Sequence, residues 1–334
     1  MFPCLQVTLR LMTSLPITLA DVEAAAARIR GRAVRTPCLE MDALSRIAGV
    51  RVFAKCELFQ RTGSFKYRGA AHAVSRLPES TKATGVATHS SGNHGQALAY
   101  AARERGFPCH VVMPHNAPRA KLEAVEKFGA HITLCEPTLT AREEMLAQVV
   151  ARTCSTVIPP YNHVDVMAGQ GTMALEILEE VSEVDAIVVP VGGGGLISGI
   201  AVAAKGKRSG ISIIGAEPAI ANDAARSKAT GICQPSTNQL TIADGLRGAL
   251  GSLTFPVVQK LVDQIHVVEE DAIARAMRFS WEQLKLTIEA SAAVGVAVVM
   301  SDAFRKLAQE HKWREVAIIF CGGNVDLDHL PWMK

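Results

Sequence analysis

The sequence predicts an α/β fold built on open, mainly parallel sheets. Short apolar, β-branched runs alternate with amphipathic stretches along the 334 residues, the pattern of strand–helix–strand units whose parallel sheet is covered on both faces. Glycine-rich turns follow several of the strand-like runs, at the carboxyl ends where open parallel sheets bind ligands. The composition, 49% hydrophobic and 20% charged, supplies enough apolar material for one large or two medium globular domains.

In chain order the strand-like runs are RVFAKCE (51–57), GVATHS (85–90), CHVVMP (109–114), HITLCE (131–136), TVIP (156–159), DAIVVPV (185–191), ISIIGAE (211–217), QIHVVEE (264–270) and VAIIFC (316–321). Each is short and rich in Val, Ile or Phe. Helical stretches lie between them: Asn93 to Arg105, with Ala97, Tyr100 and Ala101 on one face, Pro118 to Phe128, Thr140 to Arg152, Ala168 to Val181 and Leu196 to Lys205. No internal repeat and no Pro/Ser-rich tether appears, so two α/β units that share one cleft are expected rather than separate beads.

Charge and apolar patterning exclude several classes. Lys+Arg number 35 against 32 Asp+Glu, a net charge of +3, and no basic run interleaved with aromatics suggests a nucleic-acid partner. The apolar runs fall short of the ~20 residues that span a bilayer. The opening MFPCLQVTLRLMTSLP has neither a charged leader nor a small-residue cleavage site. Met12 is an alternative start, with residues 1–12 as a disordered extension. Eight cysteines, Cys4, Cys38, Cys56, Cys109, Cys135, Cys154, Cys233 and Cys321, form no CxxC pair and read as reduced thiols of a cytoplasmic protein.

Four loops at strand ends carry chemistry. VGGGGLISG (191–199) places four glycines before a helix. Each costs roughly 0.5–1 kcal/mol against alanine, a cost expected where backbone amides must approach an anion. It matches neither GxGxxG nor GxxxxGKS, so dinucleotide and ATP loops are poorly supported. HSSGNHGQALAYAA (89–102) sets two hydroxyls, an amide and an imidazole at a strand-to-helix junction. With the free amides of the first helical turn they suit a carboxylate, although Ser and Asn are also ordinary helix caps. CGGNVDL (321–327) follows the last strand and by itself reads as a tight turn. TGSFKYRGA (62–70) puts Lys66 at a helix start, as a surface charge, a phosphate ligand or a nucleophilic amine.

Taken together, SFKYRGA, SSGNHGQAL, VGGGGL and CGGNVDL, with AGQGTMALE (168–176) and TIADGL (241–246), resemble the motifs of fold-type II pyridoxal phosphate enzymes. The similarity is greatest to the serine racemase and serine/threonine dehydratase branch, and it runs from about Arg35 to Leu327. It implies two open twisted sheets of the tryptophan synthase β kind, with the active site in the cleft between them. A discontinuous large domain, 1–78 with 164–334, would bind the cofactor, and a small mobile domain, 83–160, would bind substrate. Lys66 would hold pyridoxal 5'-phosphate as a Schiff base and then act as base at the substrate Cα, a role that needs a lowered amine pKa. Phe65 would pack on the pyridine ring, and Gly192, Gly193, Gly194 and Gly195 would cradle the phosphate. Asn93 would lie beside the phenolic oxygen, and Ser90, Asn93 and His94 would clamp the substrate carboxylate.

Other positions refine the resemblance. Cys321 falls where the family places a serine or cysteine beside the ring nitrogen, and a thiol there is a weak, neutral partner. Ser91 matches the racemase branch, where it would face Cα opposite Lys66 as the second base of a two-base reaction; alternatively it caps the following helix. In GAEPAIANDAA, Glu217, the Ala221 carbonyl and Asp223 would bind Mg²⁺, or Ca²⁺ or Mn²⁺, oxygen ligands being suited to such ions. The other reading makes both acids solvated surface groups. Arg142 reads as a helix-surface residue or as a reaching arm for a second substrate carboxylate. Tyr161, in PPYNHVDV, follows the dehydratase pattern instead, and His163 and Val164 replace the family's acidic-Pro pair.

The resulting expectation is an ammonia-lyase that converts L-serine or L-threonine to a 2-oxo acid and ammonia, with serine racemisation as a second activity and a homodimer as its assembly. The β-hydroxyl would leave protonated by the cofactor phosphate. Alternatives are a racemase first, a 3-hydroxyaspartate dehydratase, a β-replacement enzyme of the O-acetylserine sulfhydrylase type, a non-catalytic binding protein that keeps the fold, and a nucleotide-binding regulator.

Overall fold

Among the residues described by the computed structural model of the chain, 14–90, 92–117, 119–237 and 240–333, ten strands pair into two sheets. Residues 1–12, Pro118 as a helix start, and Ser91 lie outside the described residues. The strands are β1 (Cys38–Glu40), β2 (Arg51–Cys56), β3 (Val86–His89), β4 (Cys109–Pro114), β5 (His131–Cys135), β6 (Thr156–Val157), β7 (Ala186–Pro190), β8 (Ser212–Pro218), β9 (Gln264–Val268) and β10 (Glu315–Phe320). The larger sheet has the order β1-β2-β10-β7-β8-β9 and the smaller β5-β4-β3-β6. Every pairing is parallel except that of β1 with β2.

The nine apolar runs read from the sequence all form strands. β1 was not among them, because CLE is a three-residue edge strand of exposed and half-buried residues with no apolar period to betray it. The centre of the large sheet needs covering on both faces. One cover is the helix Ala290–Val299, apolar all round and buried along nearly its whole length. The sequence reading also passed over the amphipathic helix Leu19–Ile29, which opens on a capping box in which Thr18 Oγ1 accepts from the Asp21 amide and Asp21 accepts from the Thr18 amide.

Strand order decides where the loops meet. β10 lies between β2 and β7, so the loop after the last strand runs beside the loop that leads into Lys66. The Phe65 amide donates to the Cys321 carbonyl at 2.9 Å, and the Gly323 amide donates to the Gly63 carbonyl at 2.9 Å. Ser64 and Gly322 form an isolated bridge between them.

The helix Lys66–Ser75 is fixed from behind by buried charge. Arg68, 1% exposed, donates through Nε and Nη2 to the fully buried Glu57 at 2.9 and 2.8 Å. It also makes two bonds to Glu176, at 2.6 and 2.9 Å. The fully buried Lys55 joins the same cluster, 2.8 Å from Glu176 and 3.2 Å from Glu180. Bidentate pairing on this scale compensates the desolvation of each charge.

Candidate active site

Lys66 is the first residue of the helix Lys66–Ser75. Its Nζ donates to the Pro160 carbonyl at 2.9 Å and lies 5.0 Å from the Phe65 ring centre. Desolvation draws its pKa down to about 8, with Cys321 and Glu289 pulling the other way. Phe65 is nearly buried at the edge of the larger core. The Cys321 thiol is buried, and desolvation, reinforced by Glu289, keeps it protonated, its pKa well above the usual thiol value.

The helix Asn93–Arg105 follows β3 of the smaller sheet after a short turn, and its first residue reaches Glu289 and Asn324. Ser90 Oγ accepts from the Gly92 amide at 3.3 Å, which leaves its own proton free. Asn93 is committed at both ends of its amide. Nδ2 donates to the Glu289 carboxylate, and Oδ1 accepts from Asn324 Nδ2 at 2.8 Å. The His94 ring turns inward. Its Nε2 bonds the Ile158 carbonyl at 2.8 Å and its buried Nδ1 has no partner. Burial, with Lys66 nearby, lowers the imidazole to about 3, so it is neutral. What His94 offers a carboxylate is therefore its backbone amide in the first helical turn.

The glycine loop connects β7 to the helix Gly195–Lys207. Each of its glycines is crowded where a β-carbon would stand. The nearest atom would be Leu246 Cα at 2.9 Å for Gly192, Tyr161 ring carbons at 2.4 Å for Gly193, Leu250 Cδ2 at 2.6 Å for Gly194 and Tyr161 Cβ at 2.8 Å for Gly195. Gly194 has φ +82°, which a side chain also disfavours. The amides of the first turn behind this loop have no intrahelical acceptor and make an anion seat.

Four participants were not singled out in the sequence. Glu289 is 6% exposed, and burial, then the nearby Asp244, lifts its carboxyl to about 7. A β-carbon on Gly322 would lie 2.7 Å from Glu289 Oε1, so the carboxylate lies against the loop after β10. The signal was present: an acid stands immediately before a wholly apolar helix, in LTIEASAAVG. Asn324 sits inside the CGGNVDL motif and ties it to Asn93 and to the Thr62 carbonyl. Lys121, on the helix Arg119–Glu126, pairs with Asp244; nothing in either local sequence announces that pair.

The remaining sequence candidates stand apart from Lys66. Glu217 accepts the Ala224 and Ala225 amides, both at 2.9 Å, and burial raises it to about 8. Asp223 is 1% exposed; neither oxygen has a hydrogen bond of normal geometry among the described residues, only weak backbone support from Leu250 and its own amide, and burial raises this carboxyl to about 6. Ala221 is buried beside them in the chain. Arg142 donates to the Thr138 carbonyl of its own helix at 3.3 Å and makes no ion pair with the described residues. His163 caps the helix Val164–Glu180, its Nδ1 accepting from the Asp165 amide.

A desolvated lysine amine and an anion seat at a helix start suit an aldehyde cofactor that carries a phosphate. The chain belongs to the family of pyridoxal-phosphate dependent enzymes, whose profile matches residues 29–322. It is 46% identical over 309 residues to serine racemase of Oryza sativa subsp. indica, covering 92% of this chain and 91% of the relative. Maize serine racemase has the same fold, with a TM-score of 0.91 and 44% identity over 93% of this chain and 94% of that one. The processed form of threonine deaminase isoform 2 from Solanum lycopersicum superposes with a TM-score of 0.86 and 32% identity, over 93% and 89% of the two chains. The chain is thus a serine racemase-like enzyme of the tryptophan synthase β-like fold.

Proposed function

We propose that the enzyme interconverts the enantiomers of serine and, as a second activity, eliminates water from serine or threonine to give a 2-oxo acid and ammonia. The sequence alone put elimination first; the likeness to serine racemases reverses that order. The observation that carries the reading is the Lys66 amine, desolvated and bonded to the carbonyl of Pro160, whose chain neighbour Tyr161 packs on the glycine loop.

Pyridoxal phosphate, when bound, would link to the substrate nitrogen and withdraw electrons from Cα, acidifying its proton. Lys66 would hold the cofactor and take the Cα proton on one face; a pKa of about 8 leaves roughly a tenth of the amine free at pH 7, far more than an unperturbed lysine would offer. Ser91 returns a proton on the opposite face. The amides of Gly192 to Gly195 bind the phosphate, and Ser90 and the first-turn amides of Asn93 and His94 bind the substrate carboxylate. The Cys321 thiol, neutral in its buried place, would meet the cofactor's ring nitrogen as a weak hydrogen-bonding partner. Closure of 83–160 over the larger unit, 1–78 with 164–334, excludes water.

Glu217, the Ala221 carbonyl and Asp223 bind Mg²⁺, Ca²⁺ or Mn²⁺ as a structural or activating ion. Support comes from Asp223, a buried carboxylate with neither oxygen in a hydrogen bond of normal geometry. A homodimer in the cytoplasm completes the reading, with seven unpaired thiols among the described residues. A second reading, 3-hydroxyaspartate dehydration, draws on Arg142, whose charge reaches His89 and Tyr161.

The test is purified enzyme on a panel of β-hydroxy amino acids with chiral product analysis. Ser91→Ala should abolish conversion of L- to D-serine and spare pyruvate formation. Loss of both together would remove Ser91 from its role. Preference for hydroxyaspartate, lost in Arg142→Ala, would favour the second reading.

A further inference from the structure

The glycine loop and Lys66 are joined by one residue that neither motif contains. Tyr161 lays its ring flat over Gly193, so that a β-carbon there would lie 2.4 to 2.5 Å from three ring carbons at once. Its Cβ and Cα crowd Gly195 in the same way, at 2.8 and 2.9 Å. The phenol oxygen reaches Gly248, 3.4 Å from where a β-carbon would stand. The next residue is anchored too: Asn162 Oδ1 accepts from the Leu253 amide at 2.8 Å and Nδ2 donates to Ser252 at 3.2 Å. Thr254 closes the circle by donating to the Gly193 carbonyl at 2.9 Å.

The residue before Tyr161 supplies the acceptor for the Lys66 amine, through the Pro160 carbonyl. That carbonyl carbon is bonded to the Tyr161 nitrogen. A ring displaced from Gly193 must therefore carry the Pro160 oxygen with it, since interiors packed this closely transmit small shifts rather than absorb them.

We infer that Tyr161 is a positioning residue that couples the glycine loop to the amine of Lys66. The inference rests on the proposed cofactor site. It assigns Gly193 a purpose beyond phosphate approach: the glycine is flat so that the ring can sit on it, and the seated ring aims a carbonyl at the amine. The hydroxyl is not needed for this seat; the ring is.

Pyridoxal, which lacks the phosphate, isolates the coupling. Its aldehyde condenses with the Lys66 amine with loss of water, and borohydride reduction followed by peptide mapping measures the adduct at Lys66 alone. Gly193→Ala apoprotein should form this adduct at least fivefold more weakly than wild type, although no phosphate is involved. Tyr161→Phe should match wild type. Tyr161→Ala should be weakened, and Gly193→Ala added to it should bring no further loss, because the clash has gone; neighbours that act through one contact are non-additive. Normal pyridoxal adduct formation in Gly193→Ala, with only pyridoxal phosphate binding impaired, overturns the coupling, as does a double variant with additive losses. Should Gly193→Ala fail to fold, recovery of folding in the double variant upholds the seat and its absence refutes it. A wild-type protein that accepts pyridoxal but shows no gain from the phosphate sinks the reading of the glycine loop while leaving the coupling standing. One that forms no adduct at Lys66 with either aldehyde overturns both.

Discussion

The side-chain nitrogen of Asn93 donates to both carboxylate oxygens of Glu289, at 2.8 and 3.0 Å. This contact binds the helix that follows β3 to the segment before the buried helix Ala290–Val299. It also places a carboxylate close enough to Lys66 to raise the amine's pKa against the desolvation that lowers it.

Glu289→Gln should therefore lower the Lys66 pKa below about 8. Glutamine keeps an oxygen for Asn93 but removes the negative charge, and a neighbouring anion favours the charged ammonium. The readout is the pH dependence of acylation of Lys66 in the apoprotein, followed by peptide mapping. A midpoint that stays put or rises would show that the carboxylate does not act on the amine.

In the wild-type apoprotein the same titration has a defined direction. Below about 8 the amine carries a proton and is not nucleophilic; above it the free amine dominates, whereas an unperturbed lysine reaches that point only near 10.5. Attachment of pyridoxal phosphate should accelerate with pH and level off above about 8, and Lys66→Ala should abolish the visible absorbance of the bound cofactor. A rate still climbing at pH values near 10.5 would contradict the desolvated amine.

How much of this was legible beforehand follows from what each feature depends on. The central strands announced themselves because burial on both faces demands continuous Val and Ile, as in AIVVP and EVAIIF. Lys66, the glycine loop and Cys321 lie in local motifs and were found as such. Asp244 and Lys121 owe their pairing to the fold, which brings together segments far apart in the chain, and no local pattern encodes that; for Glu289 the local sequence marks a buried acid but not its partners. The His94 ring looked like a substrate ligand because its neighbours are polar; its direction is set by the Ile158 carbonyl, 64 residues on. Tyr161 was noticed as a dehydratase-like residue, but its seat on Gly193 needs the fold.

The weakly supported carboxylate at Asp223 predicts a metal response that needs no turnover to detect. Addition of Mg²⁺ to the apoprotein should raise its melting temperature, since an ion that binds only the folded state stabilises it by mass action. Asp223→Asn should abolish the shift, because an amide cannot supply the charge a hard cation requires, and chelation should reverse it in the wild type. An equal shift in the Asn variant would place the ion elsewhere.

The buried pair of Arg68 and Glu57 makes the last prediction, one about stability two residues from the reactive amine. Glu57 is fully buried and its charge is met by Arg68, with Thr36 Oγ1 at 2.6 Å and Gln60 Nε2 at 3.4 Å as its neutral donors. Arg68→Met keeps an unbranched apolar stem but leaves that carboxylate without its counter-charge, a change that costs roughly 3–5 kcal/mol in comparable buried pairs. Glu57→Gln in the same chain removes the stranded charge, so the double variant should recover part of the loss. Denaturant unfolding of the apoproteins measures both steps. The recovery separates electrostatics from packing: a double variant as unstable as the sum of the two singles would mean that Arg68 holds its helix by shape alone, and the lost bonds to Glu176 would then explain the damage without Glu57.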